Sequence, residues 1–357
     1  MRFRPGKGIL VICRQGLGDA VQTLPLIRAV CRFAKDRCPV RILFHSRPSF
    51  ELFQEEGLDF TPYFIKPDYD GRTGLLRLCW QLRGTSDLIV SPPETSSSKI
   101  ALLRIAMGVR YVAGEANPPF DRLLSFSVPQ DWNKSFLETQ EDLAALLDLP
   151  APLDLPAITL TPKELFWARS LIRQEGIRER PVLGIQCSAA VTDKKWPAAN
   201  FGHVVRQLKD VFPNLSVLSF GVQEEMEDAA TARRAAGPVT WIEGTGKWTI
   251  RQTLAALSQC DLFVSGDTGL MHMAAAVDTK TLSVFGPTSP ARRAPFRQGG
   301  LAVAPETSCH PCFRRKWQGC TCIRSVEIDR VRVLAERSLR EAALKWKQDL
   351  RPDATWS

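Results

Sequence analysis

Short, densely apolar runs alternate along the chain with longer segments whose apolar residues recur at helical spacing. In the first half the runs are GILVIC, VRILFHS, SDLIVSPP and VRYVAG, and among the segments between them are AVQTLPLIRAVCRFAKD and SSKIALLRIAMG. A run that is apolar throughout reads as a strand buried on both faces, and spacing at three and four residues reads as a helix packed on it. The second half repeats the pattern. Helix PKELFWARSLIRQEG leads to strand PVLGIQC, then helix AANFGHVVRQLKDVF, strand LSVLSFG, helix EEMEDAATARRAA, strand DLFVSG, a helix through GLMHMAAAV and strand TLSVFG. A last helix is predicted from about Val326 to Trp346. Strands that alternate with helices predict parallel sheets covered on both faces, so the fold class is α/β.

Between the halves lies LPAPLDLPAITLTP. Its prolines remove amide donors and resist helix, so it reads as a linker with a boundary near Leu160. The expected domains are 1–160, 161–325 and a C-terminal helix and tail over 326–357. The length of 357 residues agrees with two domains of roughly 150 residues each. Ligands of such sheets bind at the carboxyl ends of the strands.

Composition changes the picture in three ways. No apolar run is long enough to span a bilayer, and MRFRPGKGILVICRQGLGD lacks the apolar core and cleavage site of a signal peptide, so a cytoplasmic protein is expected. The net charge of +9 favours an anionic partner. The cations are scattered, as in Arg233 and Arg234, Arg292 and Arg293, and Arg314, Arg315 and Lys316, and no nucleic-acid-reading motif accompanies them, so nucleic acid is not expected. Of the ten cysteines, Cys13, Cys31, Cys38, Cys79, Cys187 and Cys260 read as small buried hydrophobes, while Cys309, Cys312, Cys320 and Cys322 form a cluster.

Candidate chemistry concentrates after the strands. In VSGDTGLMHMAAAV, Asp267 and Thr268 stand between two glycines where a strand hands over to a helix. Glycines admit a ligand close to the backbone, and a helix start offers free amides to a phosphate. Asp267 taken alone reads rather as an N-cap, and His272, one turn on, either reaches the same cleft or is a satisfied histidine on a half-buried face. TDKKWP places Lys194 and Lys195 in another strand-to-helix loop, where a diphosphate would lie. SFGVQEEMED supplies Glu224 or Glu225, able to accept both hydroxyls of a ribose or simply to favour a helix start. Together these loops describe a nucleotide diphosphate site in the second half. In the first half, GLGDAV has Val21 where a dinucleotide fingerprint needs its third glycine, and no acid ends the second strand. Asp19 there is either an N-cap or a carboxylate placed to take a proton from an acceptor hydroxyl. The acid pair in DYD, Asp68 and Asp70, is too short a match to carry a metal site.

ILVICRQGLGDAVQTLPLIRAV, KKWPAANF, SFGVQEE, GDTGLMHMAAAV and SVFGPTSP, in that order, resemble the heptosyltransferases of glycosyltransferase family nine. The resemblance implies a GT-B fold of two Rossmann-like domains facing a cleft. It implies inverting transfer of heptose from an ADP-sugar donor to the lipopolysaccharide inner core, with no obligatory metal or other cofactor. The acceptor would be anionic and met at the inner face of the inner membrane. Carried over, Asp19 becomes the general base, Lys194 a phosphate ligand, Glu224 or Glu225 a ribose ligand, and Asp267, Thr268 and Gly269 with His272 the diphosphate and sugar loop. The chain departs from the family at QCSAAV, where a glycine is usual, and at DTKT, where the family has Gly-Lys-Pro. CHPCFRRKWQGCTC also resembles a pattern near the C-terminus of many members; its second cysteine pair is too closely spaced for a usual zinc site, and no metal is expected. The alternatives are a protein acceptor for the same donor, a nucleotide-sugar binder without catalysis, and a dinucleotide oxidoreductase, against which the missing glycine and acid argue.

Overall fold

The computed structural model describes residues 6–116, 121–177, 179–295, 299–312 and 319–349. The cations at Arg314, Arg315 and Lys316 lie outside them. The chain divides into two compact units, Met1–Thr159 and Leu160–Ser357.

The first unit runs β1 (Ile9–Ile12), α1 (Leu17–Ala34), β2 (Val40–Ser46), α2 (Arg47–Glu51), β3 (Thr61–Lys66), α3 (Gly71–Gln81), β4 (Leu88–Val90), α4 (Ser97–Met107), β5 (Tyr111–Glu115), β6 (Phe126–Val128) and α5 (Phe136–Leu146). The second runs α6 (Pro162–Gln174), β7 (Val182–Ile185), α7 (Ala198–Val211), β8 (Ser216–Ser219), α8 (Met226–Ala236), β9 (Thr240–Glu243), α9 (Ile250–Leu257), β10 (Leu262–Gly266), α10 (Gly269–Ala276), β11 (Thr281–Val284), α11 (Pro290–Arg293), β12 (Leu301–Val303) and α12 (Ile328–Asp349).

Each unit holds a six-stranded sheet, ordered β3-β2-β1-β4-β5-β6 in the first and β12-β11-β10-β7-β8-β9 in the second. All the strand pairs described are parallel. Both are the same doubly wound sheet. The chain builds outward from its first strand, then crosses over and builds the other way. The order therefore reverses between β1 and β4 and between β7 and β10, which opens a crevice beyond their carboxyl ends. The inner strands β1, β7, β8, β10 and β11 are buried at every position, as strands covered by helices on both faces must be.

In the second unit Leu183, Val217, Val264 and Val284 of the sheet pack with Val204, Val205 and Leu208 of α7 and Val331, Ala335 and Leu339 of α12. The last helix thus completes this unit's core. Capping boxes start α5 (Ser135, Glu138), α6 (Thr161, Glu164) and α9 (Thr249, Gln252). Asp70 caps α3, accepting from the Gly71 amide at 3.0 Å, and Asp68 pairs with Arg47 at 3.6 Å; the DYD acids are thereby accounted for. Cys13, Cys79, Cys187 and Cys260 are buried, while Cys31 and Cys38 are partly exposed. Burial pushes the Cys187 thiol well above its ordinary pKa, so it stays protonated and inert. At DTKT, Asp278 takes a left-handed φ of 63°, the conformation a glycine would adopt there.

Candidate functional site

In the second unit the crevice lies between the loop after β7 and the loop after β10. Lys194, from the first, donates to Asp267 Oδ2, from the second, at 2.5 Å. Thr288, after β11, donates to the same oxygen at 2.7 Å. Three loops are thus tied to one carboxylate. Two glycines let them close up. A Cβ at Gly266 would already touch the Lys194 carbonyl oxygen at 3.4 Å, and one at Gly286 would stand only 3.0 Å from the Asp193 carbonyl oxygen. Trp196 anchors the lysine loop from below. It is buried against Phe201 and donates its indole N–H to the Val326 carbonyl at 3.1 Å.

The N-cap of α10 is Thr268, with Asp267 just outside the helix. The Thr268 hydroxyl makes no cap bond; it donates to Gln186 Oε1 at 2.6 Å. The first amides of α10 are therefore left without a side-chain cap, and with the helix dipole they present a positive end to the crevice. Gln186 in turn donates to Glu225 Oε2 at 3.1 Å, and Glu225 also accepts from the Val222 amide at 3.2 Å. Glu225 is thus spent on bracing its own turn, whereas Glu224 beside it is exposed. Lys195 is turned to Asp228 at 3.1 Å, which also accepts from Ser188 at 2.6 Å.

Charge in this crevice is strongly organised. Burial by itself would push the Asp267 carboxyl up, but Lys194, Arg293 and the bonds from Lys194 and Thr288 hold it below its ordinary pKa. His272 is buried on α10. Burial lowers its pKa to about 3, with Arg293 and Lys194 adding to the effect against Asp267, so the imidazole is neutral at physiological pH.

In the first unit the equivalent crevice lies between β1 and β4. Asp19 stands in the first turn of α1, whose N-cap is Gly16 at φ 106°. Asp19 is thus not the cap. Its Oδ1 faces Arg14 Nη1 at 3.2 Å, and the same nitrogen lies 3.6 Å from Glu94 Oε2, which follows β4. Glu94 has a left-handed φ of 59°, and its amide donates to Glu115 Oε2 at 2.9 Å. The Arg14 guanidinium also lies over the Phe136 ring, 5.5 Å from its centroid.

The structure therefore brings Lys194, Asp267, Thr268, Gly269 and His272 to one crevice and links Glu225 to them through Gln186. Sequence reasoning missed Gln186, Thr288, Arg293, Arg14 and Glu94. All five follow strands, and that position was the signal available. The cysteine segment leans on the same crevice: His310 Nε2 lies 3.1 Å from the Thr288 carbonyl, and the Cys312 amide donates to the Pro287 carbonyl at 2.7 Å. Both contacts support the Thr288 loop from its outer side. Among the described residues no group of three or more His, Cys, Asp or Glu side chains is arranged to hold a metal ion.

Residues 76–319 match the family described as glycosyltransferase family 9 (heptosyltransferase). Lipopolysaccharide heptosyltransferase 2 of Salmonella typhimurium is 27% identical over 175 residues, 47% of this chain and 48% of that one, so the match spans about half the length of that relative. Among solved structures, a family 9 glycosyl transferase from Veillonella parvula superposes with a TM-score of 0.79 at 18% identity, covering 96% of this chain and 99% of that one. The ADP-heptose lipopolysaccharide heptosyltransferase II of E. coli gives 0.68 at 21% identity, covering 95% and 99%. At these identities the structural likeness speaks for the fold.

Proposed function

Because the chain belongs to glycosyltransferase family 9 and has the GT-B fold, we propose that it is an inverting glycosyltransferase that moves heptose from ADP-heptose to the lipopolysaccharide inner core. The observation that carries this reading is the crevice of the second unit. A lysine and an uncapped helix start meet there, at the point where the strand order reverses, and the exposed Glu224 follows the neighbouring strand β8.

The parts divide as the chemistry requires. Lys194 and the α10 amides at Gly269 take the diphosphate, with the Thr268 hydroxyl beside them. Glu224 accepts the ribose hydroxyls, and Glu225, through Gln186, holds the Thr268 loop in register with it. Asp267 orders the loops and, being anionic, faces sugar hydroxyls rather than phosphate. His272, neutral, offers a hydrogen bond without a charge. With cations and a helix start at the leaving group, no metal is needed to carry its charge away. In the transfer itself, Asp19 takes the proton of the acceptor hydroxyl. The freed oxygen attacks the anomeric carbon, and the bond from that carbon to the phosphate oxygen breaks to release ADP. The acceptor is anionic and reached at the inner face of the inner membrane, with the enzyme in the cytoplasm.

The test is incubation with ADP-heptose and a purified truncated core acceptor, with product and ADP followed together. Inverted product and equimolar ADP are expected. Asp19→Asn should lower kcat by about 10²–10⁴-fold, the usual share of a general base, and leave the Kd for ADP unchanged. A fully active variant refutes the assignment of the base. Transfer to a protein acceptor and not to the core refutes the acceptor, and binding without turnover refutes the enzyme.

A further inference from the structure

Helices α3 and α4 pack on the same face of the first sheet and against each other. Their inner sides contribute Leu78, Cys79 and Leu82, and Ile100, Leu103 and Met107, to one core cluster with Leu10 and Ile89. That burial fixes the rotation of both helices. What remains outside includes four large apolar side chains among polar ones: Leu76 and Trp80 on α3 are 66% and 77% exposed, and Leu102 and Ile105 on α4 are 60% and 75% exposed. Each pair is spaced three or four residues apart and so forms a neighbouring couple on its helix. Leu123 adjoins them, because Arg104 of α4 donates to its carbonyl at 2.5 Å. Single exposed apolar residues are ordinary, but a cluster of large ones marks a surface that is covered in use.

The charge around this patch selects what covers it. Arg77 and Lys99 are exposed on the same two helices, and Arg83, Arg110 and Arg122 are exposed at their ends. Neither helix carries an Asp or Glu. The flanking acids are Asp70, engaged as the α3 cap and 3.8 Å from Lys66, and Asp121, which opens the turn that carries Arg122 and Leu123. A second copy meeting this face about a twofold axis would set cation against cation. An apolar centre with tryptophan, flanked by more cations than acids, matches instead the interface of an anionic bilayer, where Trp sits at headgroup depth and each Lys or Arg adds attraction.

We propose that the outward side of α3 and α4 is a docking surface for an anionic lipid bilayer, with Leu76, Trp80, Leu102 and Ile105 entering the interface and Arg77 and Lys99 meeting the headgroups. This goes beyond the catalytic reading, and its test uses neither donor nor acceptor sugar. The full chain is sedimented with vesicles of phosphatidylcholine alone and of phosphatidylcholine mixed with phosphatidylglycerol. Binding to the mixed vesicles, weakened at high salt, is expected. Arg77→Glu with Lys99→Glu should reduce partitioning by about thirtyfold or more, since each cation is worth about a factor of five and each is reversed. Trp80→Ser with Ile105→Ser should reduce it by about tenfold or more. All four residues are exposed, so melting temperature and ADP affinity should stay at wild-type values. Equal binding to both vesicle types, no binding, or variants that bind like the wild type overturns the proposal. So does a concentration-dependent dimer that the Trp80→Ser and Ile105→Ser chain has lost, which would make a second copy the occupant.

Discussion

Replacing Lys194 by Ala perturbs two things at once, and the structure says how to separate them. The ammonium is held by Asp267, with side-chain exposures of only 15% and 7%. Removing one partner of a nearly buried pair costs about 3–5 kcal/mol, because the other charge stays behind. Thr288 still donates to Asp267 and Arg293 still faces it, so the lower end, about 3 kcal/mol, is expected. For a unit of this size that is a fall in Tm of about 6–12 °C. Adding Asp267→Asn removes the stranded charge, and the double variant should lose only about 1 kcal/mol, the net worth of an ordinary hydrogen bond. ADP binding should follow a different pattern. Lys194→Ala and the double variant should both bind ADP about 10–100-fold more weakly, as a charge-assisted phosphate bond is lost. Asp267→Asn alone should bind ADP as well as the wild type or better, since the carboxylate that competes with phosphate for Lys194 is gone. Calorimetry for Kd and thermal melts on the three variants make the check. If Lys194→Ala leaves ADP affinity unchanged, or Asp267→Asn weakens it as much as Lys194→Ala does, the lysine is a structural partner of Asp267 and not a phosphate ligand.

His272 should make stability pH-dependent. Its folded pKa is about 3 against an ordinary 6.5, so the unfolded chain binds a proton that the folded chain refuses. Its contribution is fully present above pH 6.5 and is lost as pH falls toward 3, at up to about 1.4 kcal/mol per unit. His272→Gln should flatten that share of the slope in urea melts, and an unchanged slope refutes the buried neutral imidazole. For the cysteine segment, anaerobically purified protein should carry no stoichiometric zinc or iron by elemental analysis. A metal signal that disappears with Cys309→Ser and Cys312→Ser refutes the reading of these thiols as structural.

The periodicity of the chain located the inner strands and passed over the outer ones for one physical reason. β3, β6, β9 and β12, none of which stands out in the sequence, are the four edges of the two sheets. An edge strand is covered less fully, so its pattern mixes exposed and buried positions: β3 shows one fully buried residue in six and holds Pro62, which only an edge accommodates readily. β6 and β12 are three residues each, too short for any period to show. Helices α5 and α9 had a legible signal in their capping boxes, S-x-x-E and T-x-x-Q, that the apolar spacing alone did not use.

The candidate site divides along the same line between local and non-local information. A strand followed by glycines, an acid and a helix is a local pattern, so Asp267, Thr268 and Gly269 could be read directly, as could Lys194 in its own loop. That Lys194 and Asp267 hold each other could not, because they stand 73 positions apart, β8 and β9 come between their strands in the chain, and only the crossover sets β7 beside β10. The same crossover in the first unit sets β1 beside β4 and brings Glu94 to Arg14 and so to Asp19. Gln186 is the instructive omission. A glutamine at a strand end has no motif of its own, yet its side chain bonds both Thr268 and Glu225. Its importance comes from which strands flank its own: β10 on one side and β8 on the other deliver those two loops to it. Residues that carry a charge or open a helix announce themselves in sequence. Residues that link two loops become visible only once the sheet order is known.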